Sequence, residues 1–154
     1  MPNLEVSIVT ITSSSIEGMG FLESLWDLHQ QVFGNSFTKR VSNEIFKKIG
    51  PHILLALQDS KVVGFKIGYE SKPRVFYSWS GAVSEDFQGR GIGKHLMKLQ
   101  HEWCRAQGYE KIQTKTKNKW KSMLILNLKN GFKVEGTYLD EWNETKIVLE
   151  KLLK

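Results

Sequence analysis

Cysteine is nearly absent. One thiol, Cys104, in 154 residues excludes an internal disulfide and a thiolate metal cluster, and fits a reducing, cytoplasmic setting. No run approaches the ~20 apolar residues of a membrane-spanning helix. The opening residues, MPNLEVSIVTI, lack a basic segment followed by an apolar core, so no signal peptide is expected. His29, His52, His95 and His101 follow no metal-ligand spacing, so no metal is expected. Repeats, low-complexity tracts and linkers are missing, and residues 1–154 read as one domain. Acid is in deficit: the net charge is +6 and the pI about 9.4. That balance suits nucleic acid or a polyanionic small molecule. The lysines are spread along the chain rather than gathered in a tail, and no helix-turn-helix, zinc or RNA-binding signature goes with them.

What is present is a glycine-rich join, Val83–Leu96, reading VSEDFQGRGIGKHL. A β-type run precedes it and an amphipathic helix, Ile92–Ala106, follows it. Glycine permits a sharp turn and close approach of a ligand to the backbone. A helix starting here aims unpaired N–H groups and the positive end of its dipole into the loop, which suits a phosphate or pyrophosphate. Two well-known phosphate loops are excluded by inspection. A Walker A loop fails because His95 follows Gly93-Lys94 and Gln88 stands five before Gly93. The dinucleotide fingerprint fails because its third glycine would be Lys94 or Leu96.

The remaining pattern has two periods. Leu4–Ile11 alternates as a strand. Ser14 and Glu17 have capping-box spacing, and a helix over Ile16–Phe33 presents Leu22, Leu25, His29 and Val32 on one face. A second helix, Thr38–Ile49, is expected to stop at Gly50-Pro51. Ile53–Leu57, Val62–Tyr69 and Arg74–Val83 read as strands, with a polar connection at Glu70–Pro73. In the helix after the loop, Ile92, Leu96, Leu99, Trp103 and Ala106 form one stripe. Then come a strand, Lys111–Thr116, a helix, Trp120–Asn130, with Trp120, Met123, Leu124 and Leu128 inward, and strands Phe132–Leu139 and Thr145–Leu152. The fold class is mixed α/β, in the order β-α-α-β-β-β-α-β-α-β-β.

Gln88-x-x-Gly91-x-Gly93 resembles motif A, [QR]-x-x-G-x-[GA], of the GNAT superfamily of N-acetyltransferases, and the element order resembles that family over essentially the whole chain. The resemblance implies a mixed, mostly antiparallel sheet and acetyl-CoA, or coenzyme A, as co-substrate. It also implies transfer of acetyl to an amine on a small molecule or peptide, in a monomer or homodimer. Backbone around Gln88, Gly89, Arg90, Gly91, Ile92, Gly93 and Lys94 would line the pyrophosphate; Arg90 and Lys94 either add charge there or stay solvated. Ala82 and Val83 would offer main-chain hydrogen bonds at the end of a strand that splays from its neighbour. Asn118 and Asn127 would approach the pantetheine arm and the sulfur.

Two departures from the family pattern bear on proton handling. Tyr77 and Gln113 stand where many members carry a glutamate base, and Asn127 where many carry a tyrosine acid. Tyr77, Ser78 and Ser80 either hold a water that takes the proton or are ordinary strand residues. Phe33, Phe37, Trp79, Tyr138 and Trp142 would line the acceptor side. Asp140, Glu141 and Glu144 either attract a cationic amine or solubilise a hairpin loop. The other readings are a coenzyme A sensor without turnover and a nucleic-acid-binding protein.

Overall fold

The run Ile53-Leu54-Leu55-Ala56-Leu57 is apolar at every position and buried throughout, as a strand covered on both faces should be. It lies in the second strand of a seven-stranded sheet, paired on both sides, in the computed structural model, which describes residues 6–153. The strands are β1 (Ser7–Thr12), β2 (Ile49–Gln58), β3 (Lys61–Lys72), β4 (Val75–Val83), β5 (Lys111–Lys117), β6 (Lys133–Leu139) and β7 (Thr145–Leu152). Their order is β1-β2-β3-β4-β5-β7-β6. All neighbours are antiparallel except β4 and β5.

Helices α1 (Leu22–Phe33) and α2 (Asn35–Glu44) cover one face, burying Leu25, Leu28 and Val41 against Ile53, Leu55, Phe65 and Ile67. Helices α3 (Ile92–Ala106) and α4 (Lys121–Lys129) lie on the other. There Leu54, Ala56 and Val63 meet Ile92 and Leu96, while Phe76, Ile112 and Leu149 meet Met97 and Cys104. Leu4 and Glu5 of the expected first strand lie outside the described residues.

The order of elements is as expected; several details are not. Ser14 and Glu17 form no capping box. Ser14 sits in a turn against Thr12, a 3-10 turn spans Met19–Phe21, and α1 begins at Leu22 without a side-chain cap. Val32 is exposed, and Leu28 is buried instead. Helix α2 starts three residues early, at Asn35, and ends at Glu44. Gly50-Pro51 lies inside β2, where Gly50 at φ +58° and a register shift between Ile49 and His52 make a bulge that tolerates proline. Glu70–Lys72 continues β3. The buried face of α3 is Ile92, Leu96, Met97, Gln100, His101 and Cys104, with Ala106 exposed. On α4 the buried side chain is Asn127, and Leu128 is exposed.

Two irregularities in β4 position the site. Its register against β3 passes from Ile67↔Ser80 to Gly68↔Ser78, leaving Trp79 as the extra residue of a bulge. Its parallel pairing with β5 runs only from Val75↔Lys111 to Ser78↔Thr114. At the last rung the Thr114 hydroxyl donates to the Ser78 carbonyl at 2.9 Å. Beyond it β4 follows β3 while β5 follows β7, and the sheet opens as a wedge. Gly68 braces this point. A Cβ there would lie 2.4 Å from the Phe76 ring and 2.6 Å from the Tyr77 carbonyl. Gly68→Ala is expected to destabilise by about 1–3 kcal/mol, read as a lower urea midpoint. Gly136→Ala, with nothing within 4 Å of its Cβ, is the control; equal midpoints would refute the close-packing account.

Candidate active site

After β4 the chain turns through Glu85–Phe87 into the glycine loop. The Ser84 N–H donates to the Val63 carbonyl at 2.8 Å, the Phe87 N–H to Ser84 at 2.9 Å, and the Gln88 amide to the Val83 carbonyl at 3.1 Å. Arg90 folds back: its guanidinium donates to the Asp86 carbonyl at 3.0 Å and lies 5.0 Å from the Phe87 ring centre. Gly89 and Gly91 adopt φ of +77° and +80°, a region side chains disfavour, and nothing lies within 4 Å of a Cβ built at either. Gly91 caps α3 without a side-chain hydrogen bond, so the first-turn N–H groups of Ile92, Gly93 and Lys94 face an open concavity. Gly93 has ordinary helical geometry, and its Cβ would sit 3.6 Å from Leu126 and from Val83. Lys94, His95, Lys98, Arg105 and Lys151 line an adjoining cleft of about 420 Å³ that reaches Gly91.

A second cavity, about 700 Å³, begins at the wedge and continues over the α1–α2 face. Ser78–Gly81, Thr114, Met123 and Asn127 line its wedge end, and Phe33, Phe37, Arg40, Tyr138 and Trp142 its far end. All five aromatic residues expected on the acceptor side meet there. Tyr77 lines it too, half-buried against Tyr69 and Tyr138, and burial raises its phenol pKa well above the ordinary range. Asn127 is buried, and its side-chain amide makes no hydrogen bond within the described residues. Asn118 is exposed between β5 and α4 and does not line the cavity. The Ala82 side chain packs on the α1–α2 core and Val83 on the α3 side, while their main chain runs along the open edge of β4.

Three features of this cavity carry little sequence signal. His29 bridges the Thr38 hydroxyl at 2.6 Å and the Ser80 hydroxyl at 3.0 Å, tying α1 and α2 to the bulge; burial pushes its pKa down to about 4. Lys66, 7% exposed, reaches the cavity with no ion-pair partner among the described residues, and burial lowers its pKa to about 8. Asp140 and Glu144 are not free: Lys117 lies 3.2 Å from Asp140 and 3.4 Å from Glu144, and Lys119 3.4 Å from Glu144. The hint for the last was legible as lysines at alternate positions, Lys115, Lys117 and Lys119. Cys104 is buried and its thiol pKa is raised by burial, as befits a packed residue.

Residues 22–121 match the Acetyltransferase (GNAT) family. The chain belongs to that family, whose members are acyltransferases using acetyl-CoA. No curated protein sequence matches it. The fold is similar to that of Ard1 from Thermoplasma volcanium, at TM-score 0.79 and 16% identity over 96% of this chain and 98% of that one. It is also similar to the ribosomal-protein-S18-alanine N-acetyltransferase from Escherichia coli, at 0.77 and 15% over 97% and 95%. A GNAT family acetyltransferase from Elizabethkingia anophelis with acetyl-CoA bound aligns at 0.70 and 19% over 96% and 97%. At such identities the likeness is one of fold.

Proposed function

We propose that this protein is an acetyl-CoA-dependent N-acetyltransferase acting on a primary amine by direct attack. The observation that carries the reading is the wedge between β4 and β5, which opens into the large cavity on one side and adjoins the glycine loop on the other. Acetyl-CoA supplies an activated acetyl thioester. The concavity at Gly89 and Gly91 has backbone donors and no intruding Cβ, which fits a pyrophosphate. The lysines and Arg105 of the adjoining cleft add charge for further phosphate.

The open edge of β4, from Trp79 to Val83, presents main-chain N–H groups able to bond a pantetheine arm and polarise a thioester carbonyl. Each such donor is worth about 3 kcal/mol in the transition state. The attacking nitrogen bonds to the acetyl carbon, the carbon–sulfur bond breaks, the amine gives up a proton and the thiolate gains one. The Asn127 amide, at the wedge, can hydrogen-bond a leaving thiolate. Tyr77 stays protonated, so the amine proton passes through water; Ser78 and Ser80 line the cavity and are the candidates for holding that water, Ser80 with its hydroxyl also bonded to His29.

Acetyl-CoA at 100 times its dissociation constant should stabilise the protein by about 2.7 kcal/mol, a rise of roughly 5–10 °C in melting temperature. No rise would overturn the reading. Thiol release with a panel of amines separates turnover from the second reading, a coenzyme A sensor, which the absence of a carboxylate at Tyr77 and Gln113 favours.

A further inference from the structure

In the register of β5 against β7, Lys117 stands directly opposite Lys146. Like charges so placed destabilise a strand pair unless something compensates them. Lys117 is compensated by Asp140 and Glu144. Lys146 is half-buried, has no ion-pair partner among the described residues, and lines the cavity. Its pKa is lowered by burial and then by the charge of Lys117, with Lys115 and Arg40 acting in the same direction and Asp140 opposing.

Lys115 is also without an acid partner among the described residues; its ammonium lies 5.2 Å from the Tyr138 ring centre and 5.9 Å from that of Tyr77. Those rings stabilise a cation without neutralising it. Arg40 holds Glu44 through Nε only. Six cationic side chains and two acids line the cavity. With Lys117 paired to Asp140, Lys119 to Glu144 and Arg40 to Glu44, three lysines, Lys66, Lys115 and Lys146, are left without an ion-pair partner among the described residues, against one lining acid, Glu141. A polycationic amine would be repelled here.

We infer that the acceptor is a small amine that also carries an anionic group, a carboxylate or a phosphate, bound by Lys146, Lys115 and Arg40. The inference rests on the acetyl-transfer reading and adds the chemistry of the second substrate. Coenzyme A phosphates are not the missing anion, because the glycine loop leads into α3, on the opposite side of the sheet from α2 and Arg40. Phe33, Phe37 and Trp79 give the rest of the acceptor an apolar wall. The same cations disfavour the ammonium form of an amine placed among them. That eases loss of its proton in a site with no carboxylate at Tyr77 or Gln113.

The test has a binding arm and a turnover arm. Tryptophans 79, 120 and 142 line the cavity, so their fluorescence reports occupancy with and without coenzyme A. N-acetyl-L-tyrosine (carboxylate) and phenyl phosphate (phosphate) are titrated beside spermidine. At least one anion should quench at millimolar concentration, and which one does identifies the anionic group. Turnover compares L-tyrosine with tyramine and O-phosphoethanolamine with ethanolamine; the acid of the favoured pair should have the higher kcat/KM by about tenfold or more. Lys146→Gln should bring that ratio toward one and weaken anion binding while leaving the acetyl-CoA thermal shift intact, and Lys146→Arg should keep the preference. The inference is overturned if neither anion binds, if uncharged or polycationic amines are used as well as the acids, or if Lys146→Gln removes the acetyl-CoA shift. Absence of that shift in the wild type instead overturns the parent reading.

Discussion

Acidification from pH 6.5 toward 4 is expected to unfold this protein, before most carboxylates are protonated. Three imidazoles are buried neutral. His29 lies between two hydroxyls. His52 stacks on Trp103 at 4.1 Å with its Nδ1 unpartnered, and His101 shares Nδ1 with the Lys151 ammonium at 3.1 Å. Burial is the first cause in each case, lowering the pKa from 6.5 to about 4 for His29 and His52 and to about 3 for His101, where Lys151, Lys66 and Arg105 add repulsion. Their folded values lie below the unfolded one, so the unfolded chain binds more protons in this window. The stabilisation is complete above pH 6.5 and is lost as pH falls toward 4. Each histidine contributes about 1.4 kcal/mol per pH unit, and three together about 4, against a total stability of roughly 5–15 kcal/mol. Circular-dichroism melts from pH 8 to 4.5 should show the melting temperature flat above 7 and falling steeply below 6. His52→Phe keeps a ring against Trp103 and deletes one proton site, so its acid slope should be smaller by about a third. A wild-type melting temperature unchanged between pH 6.5 and 5 would refute this.

The helix period puts His29 on the inner face of its helix, and it is buried there; His52 and His101 mark where sequence reading reached its limit. A helix period finds apolar residues; it does not say which polar ones turn inward with them. On α3 the stripe through Leu99 and Trp103 is rotated because Gln100 and His101, polar by composition, take buried positions beside Met97 and Cys104. On α4 the same blindness placed Leu128 inside, where the buried side chain is Asn127. The order of elements along the chain and the place of the glycine loop were legible because both rest on local signals: β-type runs, a period change, and glycines at a helix start. Gly50-Pro51 misled for the same reason. Locally it reads as a stop, and only the pairing of β2 with β3 makes it a bulge.

The far end of the cavity was half legible. Its aromatic residues could be named from the chain, since their positions follow from which strands and helices bound the site. Its charge could not. Asp140 and Glu144 look available for a cation until the β6–β7 loop folds onto Lys117, with the Asp140 carboxylate accepting from the Trp142 and Glu144 N–H groups, both at 2.9 Å. Pairing across strands far apart in sequence reverses the sign of what a ligand meets. The hints were a mild excess of base and the lysines at alternate positions, Lys115, Lys117 and Lys119.

Gly91→Val should fold and lose its response to acetyl-CoA. At φ +80° a β-branched residue is strained by about 1–3 kcal/mol, a loss that most folds of this size survive. No atom lies within 4 Å of the new Cβ, so the core is untouched. The added methyls instead enter the concavity before the first N–H groups of α3, where the proposed pyrophosphate would lie. Gly108 supplies a matched control. It sits just past the other end of α3, at φ +87° and with equally open space, so Gly108→Val carries the same kind of strain at a site remote from the loop. Both variants should melt a few degrees below wild type. With saturating acetyl-CoA, Gly108→Val should regain the roughly 5–10 °C seen in wild type and Gly91→Val should regain none. Equal shifts in the two variants would move the cofactor away from the glycine loop. Loss of the shift in both would mean that strain at either end of α3 disables binding, and the loop would hold no special place in it.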